Sequence, residues 1–419
     1  MPLPLPLRRA DARLSALFFY VTYTVAATAA VWLITGAGDS LSTLGFGFGP
    51  KIALVAAGEP LGDAADLPFV PYFLGLLARF WDDPLFVALV KNLVFQALPA
   101  YVLVRLWLRG AHLLLTKVLL VYVLSFPQLV RHGFALIPEE AYLIPILAFV
   151  FWGLIEAKPG MRLWRLAPYA VMSALSFLIK DGAILVGPAV ALAYGIRTRS
   201  YLVFALFGGL LAASVSGVGL VNFANTGQFS VTGSLAGYDF WKGNNEHTLD
   251  HFPFRTLDAI SHLAPPREAG QTEWEWSRVC LQEGVRFNVE HPREALHILG
   301  LRFYQVFLAV TGEESPSDFA GRGALKLVGV AYMVVFRLLL LLAVVHAVLA
   351  LWRSMKAAGL AGLDNGGAGL ALGYLLFTAA FVAPYLAAWG TERRLMPLII
   401  PTCLYLWSVA QDRAVASGR

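Results

Sequence analysis

The amino-acid sequence predicts an all-α integral membrane protein with a bundle of about ten spanning helices and large outer loops. Of its 419 residues, 58% are hydrophobic and 14% are charged, and the mean hydropathy is +0.66. These values are too apolar for a soluble protein of this length. Lys and Arg gather in alternate gaps between the apolar segments, which by the positive-inside rule places both termini on the cytoplasmic side.

About ten apolar segments approach the roughly 20 residues that cross a bilayer. They cover residues 14–35, 85–107, 112–130, 138–156, 166–181, 183–196, 201–222, 327–351, 367–388 and 395–411. An even number of spans agrees with two cytoplasmic termini. The fifth and sixth segments are short and meet at Lys180-Asp181-Gly182, so the count could differ there by two.

Basic residues mark the ends predicted to be cytoplasmic. They are Arg8, Arg9, Arg13, Arg105, Arg109, Lys158, Arg162, Arg165, Arg197, Arg199, Arg353, Lys356, Arg413 and Arg419. The net charge of +5 is therefore explained by helix orientation, and we do not expect the protein to bind nucleic acid.

Three regions divide the chain. Residues 1–222 form a transmembrane module whose first outer loop, 36–84, is acidic. Within that loop, residues 52–57 and 71–81 are predicted to be short interfacial helices. Residues 223–323 form an outer region that rests on the bilayer and includes a helix over 272–301. Residues 324–419 return to the membrane.

Two adjacent carboxylates stand at the outer end of the predicted fourth span. Glu139 and Glu140 follow Arg131 and His132. An ionisable group at membrane depth is a functional hypothesis because it is costly there. The pair could bind a metal or orient an acceptor hydroxyl. Alternatively, it is simply negative charge at a helix N-terminus, which the helix dipole favours.

Three cations also lie at predicted outer ends. Lys180 could meet a lipid phosphate or form a local ion pair with Asp181. Arg393 and Arg394 precede the last span on its outer side, against the positive-inside bias. Two guanidinium groups suit a phosphate or pyrophosphate, and the alternative is snorkelling at the interface.

Several familiar catalytic motifs are absent from the sequence. It contains no Walker A motif, no G-x-S-x-G motif, no dinucleotide-binding fingerprint and no zinc-ligand spacing. Its two cysteines, Cys280 and Cys403, indicate no disulfide framework. ATP-driven transport and serine hydrolysis therefore have no sequence support.

Five segments together resemble the polytopic GT-C glycosyltransferases that use polyprenyl-phosphate-linked sugars. This superfamily includes protein O-mannosyltransferases and aminoarabinose transferases. The segments are PFVPY at 68–72, PEEAY at 138–142, LIKDG at 178–182, DFWKGNN at 239–245 and ERRLMPLIIP at 392–401. The third segment departs from the family pattern, which usually has Arg-Pro at its centre.

The resemblance implies sugar transfer from a polyprenyl-phosphate donor to a lipid, glycan or protein acceptor. It also implies a bacterial inner membrane, with the active site facing the periplasm and in contact with membrane lipids. The catalytic candidates are Asp39, Asp63, Asp66, Glu139 and Glu140. The substrate-binding candidates are Lys51, Arg131, Lys180, Lys242, Asn244, Asn245, Arg393 and Arg394.

The position of the family's catalytic carboxylate is occupied here by Gly49-Pro50-Lys51. Asp39 is therefore the first candidate for the base, followed by Asp66 and Asp63. No paired D-x-D motif occurs in the first outer loop, so the sequence leaves open whether a divalent metal is needed.

Two other classes of membrane protein remain open. A glycan ligase or polymerase that uses a lipid pyrophosphate would also keep its site in large outer loops, with an essential histidine such as His132 or His247. A flippase or transporter for a lipid-linked sugar would have broken helices in symmetric halves around a charged cavity.

Overall fold

The computed structural model describes residues 5–35, 48–61, 67–110, 113–137, 139–251, 257–308, 323–359, 366–388 and 392–416. These residues form helices and connecting turns, and no strand occurs among them. The predicted all-α class is therefore confirmed for this part of the chain.

The described residues form eighteen α-helices. In chain order they are α1 (Leu5–Thr35), α2 (Phe48–Ala57), α3 (Phe69–Ala78), α4 (Pro84–Phe95), α5 (Ala97–Gly110), α6 (Leu114–Ser125), α7 (Pro127–Phe134), α8 (Glu140–Glu156), α9 (Leu163–Ile179), α10 (Val186–Thr198), α11 (Leu202–Thr226), α12 (Ala236–Gly243), α13 (Thr248–His251), α14 (Glu273–Glu290), α15 (Pro292–Phe307), α16 (Gly323–Ala358), α17 (Gly366–Ala387) and α18 (Ile399–Ala416). Short 3-10 helices occupy Asp181–Leu185, Leu257–Leu263 and Glu392–Leu398.

Four of these helices, α1, α11, α16 and α17, are long and apolar enough to cross a membrane. Two bent pairs raise the number to six if each pair is one span: α4 with α5, bent by 41°, and α6 with α7, bent by 57°. These helices are compatible with an integral membrane protein. The described residues thus supply four to six candidate spans where the sequence predicted ten, because the remaining apolar segments fold as shorter helices.

Helix α8 is the central helix of the bundle. Of its 17 residues, 14 are buried, and it packs against α5, α9, α18 and the segment Glu392–Leu398. Its apolar side chains therefore contact protein on all sides, which explains why the segment carries no amphipathic pattern. This enclosure fixes the position of the two glutamates at its N-terminal end.

Polar side chains of α4 stabilise the end of α7. Lys91 Nζ lies 2.6 Å from the carbonyl oxygen of Ala135, and Asn92 Nδ2 donates to the carbonyl of Phe134 at 2.8 Å. Both side chains are fully buried. A helix leaves its last carbonyls without intrahelical donors, and inside a membrane they must be satisfied by protein. The two side chains therefore allow α7 to end inside the helix bundle.

We expect Asn92→Leu to lower the free energy of unfolding by about 1–3 kcal/mol, because the buried carbonyl of Phe134 and the hydroxyl of Thr28 both lose a donor. Val94→Leu is the matched control, since Val94 lies on the exposed face of the same helix. Denaturant unfolding in detergent measures both. Equal stability of the two variants would contradict this role of Asn92.

The outer region is built from α12 to α15. The predicted helix over 272–301 is two helices, because Pro292 starts α15 directly after His291 ends α14. Thr272 and Glu275 form a capping box that starts α14. Helix α15 leaves Leu296 and Phe303 exposed, an apolar surface typical of a helix at the bilayer interface.

Three of the basic residues predicted to be cytoplasmic, Arg105, Arg109 and Arg197, meet at the other end of α8. Arg105 and Arg109 contact Glu156 Oε1 at 3.0 Å and 2.5 Å. Arg197 donates to the carbonyls of Ile155 and Gly366. The C-terminal ends of α5, α8 and α10 and the start of α17 therefore lie together.

Candidate functional site

Four charged side chains converge at the N-terminal end of α8, and we call them the charge cluster. Lys180 Nζ lies 3.1 Å from Glu139 Oε1. One guanidinium nitrogen of Arg394 lies 2.9 Å from Glu140 Oε1 and 3.8 Å from Glu139 Oε2. Two carboxylates and two cations thus form one network from residues that sequence analysis proposed separately.

Three helix ends bring these residues together. Glu139 directly precedes α8, Lys180 directly follows α9, and Arg394 lies in the 3-10 segment that leads into α18. Glu139 makes no side-chain capping hydrogen bond to α8. Its carboxylate instead faces Lys180 and Arg394. Besides the favourable position at a helix N-terminus, Glu139 is therefore stabilised by ion pairs.

The charge cluster is largely, though not completely, enclosed. The side chain of Glu140 is 2% exposed, whereas those of Arg394 and Lys180 are 15% and 19% exposed. Ion pairs are strengthened where water is scarce, and the exposed edge of the cations gives a ligand access to them. The side chain of Glu139 is 13% exposed, so the two cations and Glu139 form the accessible part of the cluster, whereas Glu140 is enclosed.

Two tyrosines next to the cluster were not singled out from the sequence. The hydroxyl of Tyr142 is buried and has no hydrogen-bond partner among the described residues, and Phe73 and Phe95 surround its ring. Tyr385 of α17 lies within electrostatic range of Arg394 and Glu140. Aromatic residues inside apolar segments carry no signal that separates them from ordinary core residues.

The G-N-N element of α12 connects the outer region to α17. Asn244 Nδ2 donates to the carbonyl of Ala387 at 3.0 Å, and Asn245 Nδ2 donates to the carbonyl of Trp241 at 2.7 Å. Both predicted substrate-binding amides therefore bind the protein's own backbone. Lys242 Nζ pairs with Asp239 Oδ1 at 2.9 Å.

The other predicted residues are distributed around the cluster or lie outside the described chain. Lys51 is buried in α2, which packs against α3. Arg131 lies in the last turn of α7, and α7 packs against both α8 and the segment Glu392–Leu398. Outside the described residues lie Asp39, Asp63, Asp66 and the side chain of Arg393.

An apolar groove of about 650 Å³ runs between α1, α5, α6 and α7. Its lining includes Tyr20 and Trp107, and also Ile144 and Ile400. Ile144 lies one turn from Glu140 on α8, and Ile400 is the second residue of α18, the helix that follows Arg394. The groove therefore approaches the charge cluster from within the helix bundle.

The described side chains include no group arranged to bind a metal ion. Among them, no group of three His, Cys, Asp or Glu residues is close enough to share an ion. The carboxylates of Glu139 and Glu140 are instead paired with cations.

Similarity to other proteins does not assign a chemistry to the charge cluster. The function is therefore inferred from the charges of the cluster, its burial and the groove beside it. Comparison with protein families, with curated proteins and with solved structures finds no match to this chain.

Proposed function

We propose that this protein is a GT-C-type membrane glycosyltransferase. It moves a hexose or pentose from a polyprenyl-phosphate donor to a lipid, glycan or protein acceptor. The proposal includes a bundle of about ten spanning segments in a bacterial inner membrane, with both termini cytoplasmic and the charge cluster facing outward. The observations that support it most are the two partly exposed cations and the apolar groove whose lining residue Ile144 lies one turn from Glu140, since a lipid phosphate needs both.

The donor is proposed to lie with its isoprenoid chain in the apolar groove and its phosphate at Lys180 and Arg394. An ammonium has three hydrogen-bond donors and a guanidinium has five. Each cation can therefore keep its contact with a glutamate and still bind a phosphate oxygen. Glu139 and Glu140 orient the cations in this arrangement and reduce the net positive charge that the bundle must bury.

The proposed reaction is a displacement at the anomeric carbon. A carboxylate takes the proton of the acceptor hydroxyl, whose oxygen forms a bond to the anomeric carbon. The bond from that carbon to the phosphate oxygen breaks, and polyprenyl phosphate leaves with the bonding electrons. Lys180 and Arg394 stabilise the charge on the departing phosphate. Asp39 is the first candidate for the base, followed by Asp66 and Asp63.

Transfer from a panel of radiolabelled polyprenyl-phosphate sugars into lipid, glycan and protein fractions tests this function. We expect transfer by the wild type and a loss of about 10²–10³-fold in Arg394→Gln, because a cation that meets the departing phosphate is removed. Asp39→Asn should lose transfer as well. Glu156→Gln is the matched control, since it removes an ion-paired glutamate at the opposite end of α8.

The outcomes separate the rival functions. Transfer that survives Asp39→Asn but not Arg394→Gln would move the base to Asp63, Asp66 or the Glu139–Glu140 pair. Transfer only from lipid-pyrophosphate donors would favour a glycan ligase or polymerase. Movement of a lipid-linked sugar across the membrane without transfer would favour a flippase. Equal transfer by wild type and Arg394→Gln would contradict the role of the charge cluster.

A further inference from the structure

Arg302 is a buried cation that binds backbone carbonyls. It lies on α15 and is 3% exposed. Its guanidinium donates to the carbonyls of Leu386 at 2.8 Å and Ala387 at 2.9 Å, and also to the carbonyl of Gly243. Among the described residues, no carboxylate pairs with it. Burial lowers the pKa of Arg302 to about 10, so the group is charged at neutral pH.

Gly243 and Asn244 contact the C-terminal end of α17, where two of the carbonyls bound by Arg302 also lie. We call these three residues the Arg302 cluster. A Cβ atom on Gly243 would lie 1.8 Å from the carbonyl oxygen of Ala388, so only glycine permits this approach. Asn244 donates to the carbonyl of Ala387, and its own side-chain oxygen accepts from Asn288 Nδ2 at 3.2 Å. Helices α12, α14 and α15 therefore converge on one helix end.

The contacted carbonyls belong to the end of α17, where a helix lacks intrahelical donors. Arg394 follows Ala387 by seven residues, and α15 packs against both α17 and the segment that holds Arg394. On the other side of the cluster, α12 carries Asp239, which lies within electrostatic range of Arg394. The Arg302 cluster thus connects α12, which carries Asp239, to the end of α17, and α15 also contacts the segment that carries Arg394.

We infer that Arg302 is a positioning residue, which together with Gly243 and Asn244 holds the Asp239–Lys242 pair of α12 beside Arg394. The inference rests on the proposed function and extends it. Asp239 is half exposed whereas Lys242 is buried, so the carboxylate is the part of this pair that an acceptor can reach. The α12 pair forms the acceptor-side wall of the charge cluster.

The chemistry of Arg302 favours this role over simple packing. A desolvated cation without an acidic partner is costly to bury, and an apolar side chain would fill the same space at lower cost. The planar guanidinium, however, can donate to three carbonyls of two chain segments at once, which an ammonium cannot do with the same geometry. The residue is therefore suited to fixing one segment relative to another.

A distance measurement tests the positioning role without relying on activity. Spin labels at Glu246 of the outer region and Ala383 of α17, both exposed, report the separation of these elements in lipid nanodiscs. Cys280 and Cys403 are buried, so they do not compete for the label. We expect Arg302→Met and Arg302→Lys to broaden and shift the distance distribution. Arg286→Met, an exposed residue of α14, is the matched control.

Kinetics of sugar transfer supply the second readout. We expect kcat to fall about tenfold to a hundredfold in Arg302→Lys, because the acceptor-side wall is misplaced. The KM for the donor should stay within about twofold, since Lys180 and Arg394 are unchanged and uniform donor binding is retained. Asn288→Ala removes only the contact to Asn244 and should give a smaller broadening, which covers the case in which an Arg302 variant fails to fold.

The outcomes distinguish this inference from the proposed function. An unchanged distance distribution in Arg302→Met and in Asn288→Ala would overturn the Arg302 cluster as a connection between the elements. A broadened distribution with unchanged kcat would overturn the positioning role. Absence of transfer in the wild type would instead contradict the proposed function, and the effect of Arg302→Lys on kcat could then not be measured. The spin-label distances would still decide whether Arg302 holds α12 against α17.

Discussion

Replacing Arg394 by Met is expected to lower the free energy of unfolding by about 3–5 kcal/mol. Glu140 would then remain as a carboxylate whose side chain is only 2% exposed and whose partner at 2.9 Å is gone. Chemical unfolding in detergent measures the change. Arg286→Met, which removes an exposed cation from its contact with Glu283, should cost at most about 1 kcal/mol.

A second substitution shows whether the loss comes from the contact between Arg394 and Glu140. In Glu140→Gln combined with Arg394→Met, both charges of that contact are removed, and we expect most of the stability to return. The double-mutant cycle should give a coupling above about 1 kcal/mol. Additive losses would show that Arg394 stabilises the fold through packing alone. The double variant should still lack sugar transfer, which separates stability from the proposed function.

Gly237→Ala is expected to separate α12 from α14. A Cβ atom at this position would lie 2.0 Å from the backbone oxygen of Ser277, so one helix must move. Cys280 lies one turn further along α14 and is fully buried, and burial raises the pKa of its thiol to about 11. We expect alkylation of Cys280 to become at least about tenfold faster, because opening the contact exposes the thiol and favours its thiolate.

The measurement uses a Cys403→Ala background and a maleimide reagent at neutral pH. Gly300→Ala is the matched control, because Gly300 lies in an exposed part of α15 with no atom within reach of a new Cβ. That variant should alkylate at the parental rate and gain slight helix stability. Parental alkylation in Gly237→Ala would mean that the α12–α14 contact adjusts without opening.

The individual charged residues could be predicted from the sequence, but their pairing could not. Glu139, Glu140, Lys180 and Arg394 stand out because each interrupts or borders an apolar segment. The ion pairs of the cluster, however, join residues 41 and 254 positions apart. Such contacts depend on which helix ends meet in the bundle, and hydrophobic pattern does not specify that.

The G-N-N element shows a different limit of sequence reasoning. The family resemblance implied substrate contacts for this element, and the structure adds that Asn244 and Asn245 donate to backbone carbonyls. Arg302 went unnoticed because a single cation in an amphipathic helix resembles any solvated residue. The burial of a polar side chain, rather than its identity, decides whether it serves the fold or a ligand, and burial is a property of the assembled structure.

Helix lengths were also only partly predictable. The helical class follows from composition, but the predicted span over 395–411 begins in the structure as the 3-10 segment Glu392–Leu398, and α10 has only 13 residues. Apolar composition continues through such turns, since their side chains are buried as well. The boundaries are set by local backbone geometry that a hydropathy pattern does not record.

The charge cluster around the start of α8 can form only late in the synthesis of the protein. Arg394 is made 254 residues after Glu140, which at about 5–20 residues per second corresponds to roughly ten to fifty seconds. During that interval the acidic end of α8 has only Lys180 as a cation of the future cluster. The bundle can close around α8 only when α18 arrives, so completion of the fold and completion of the site are the same event.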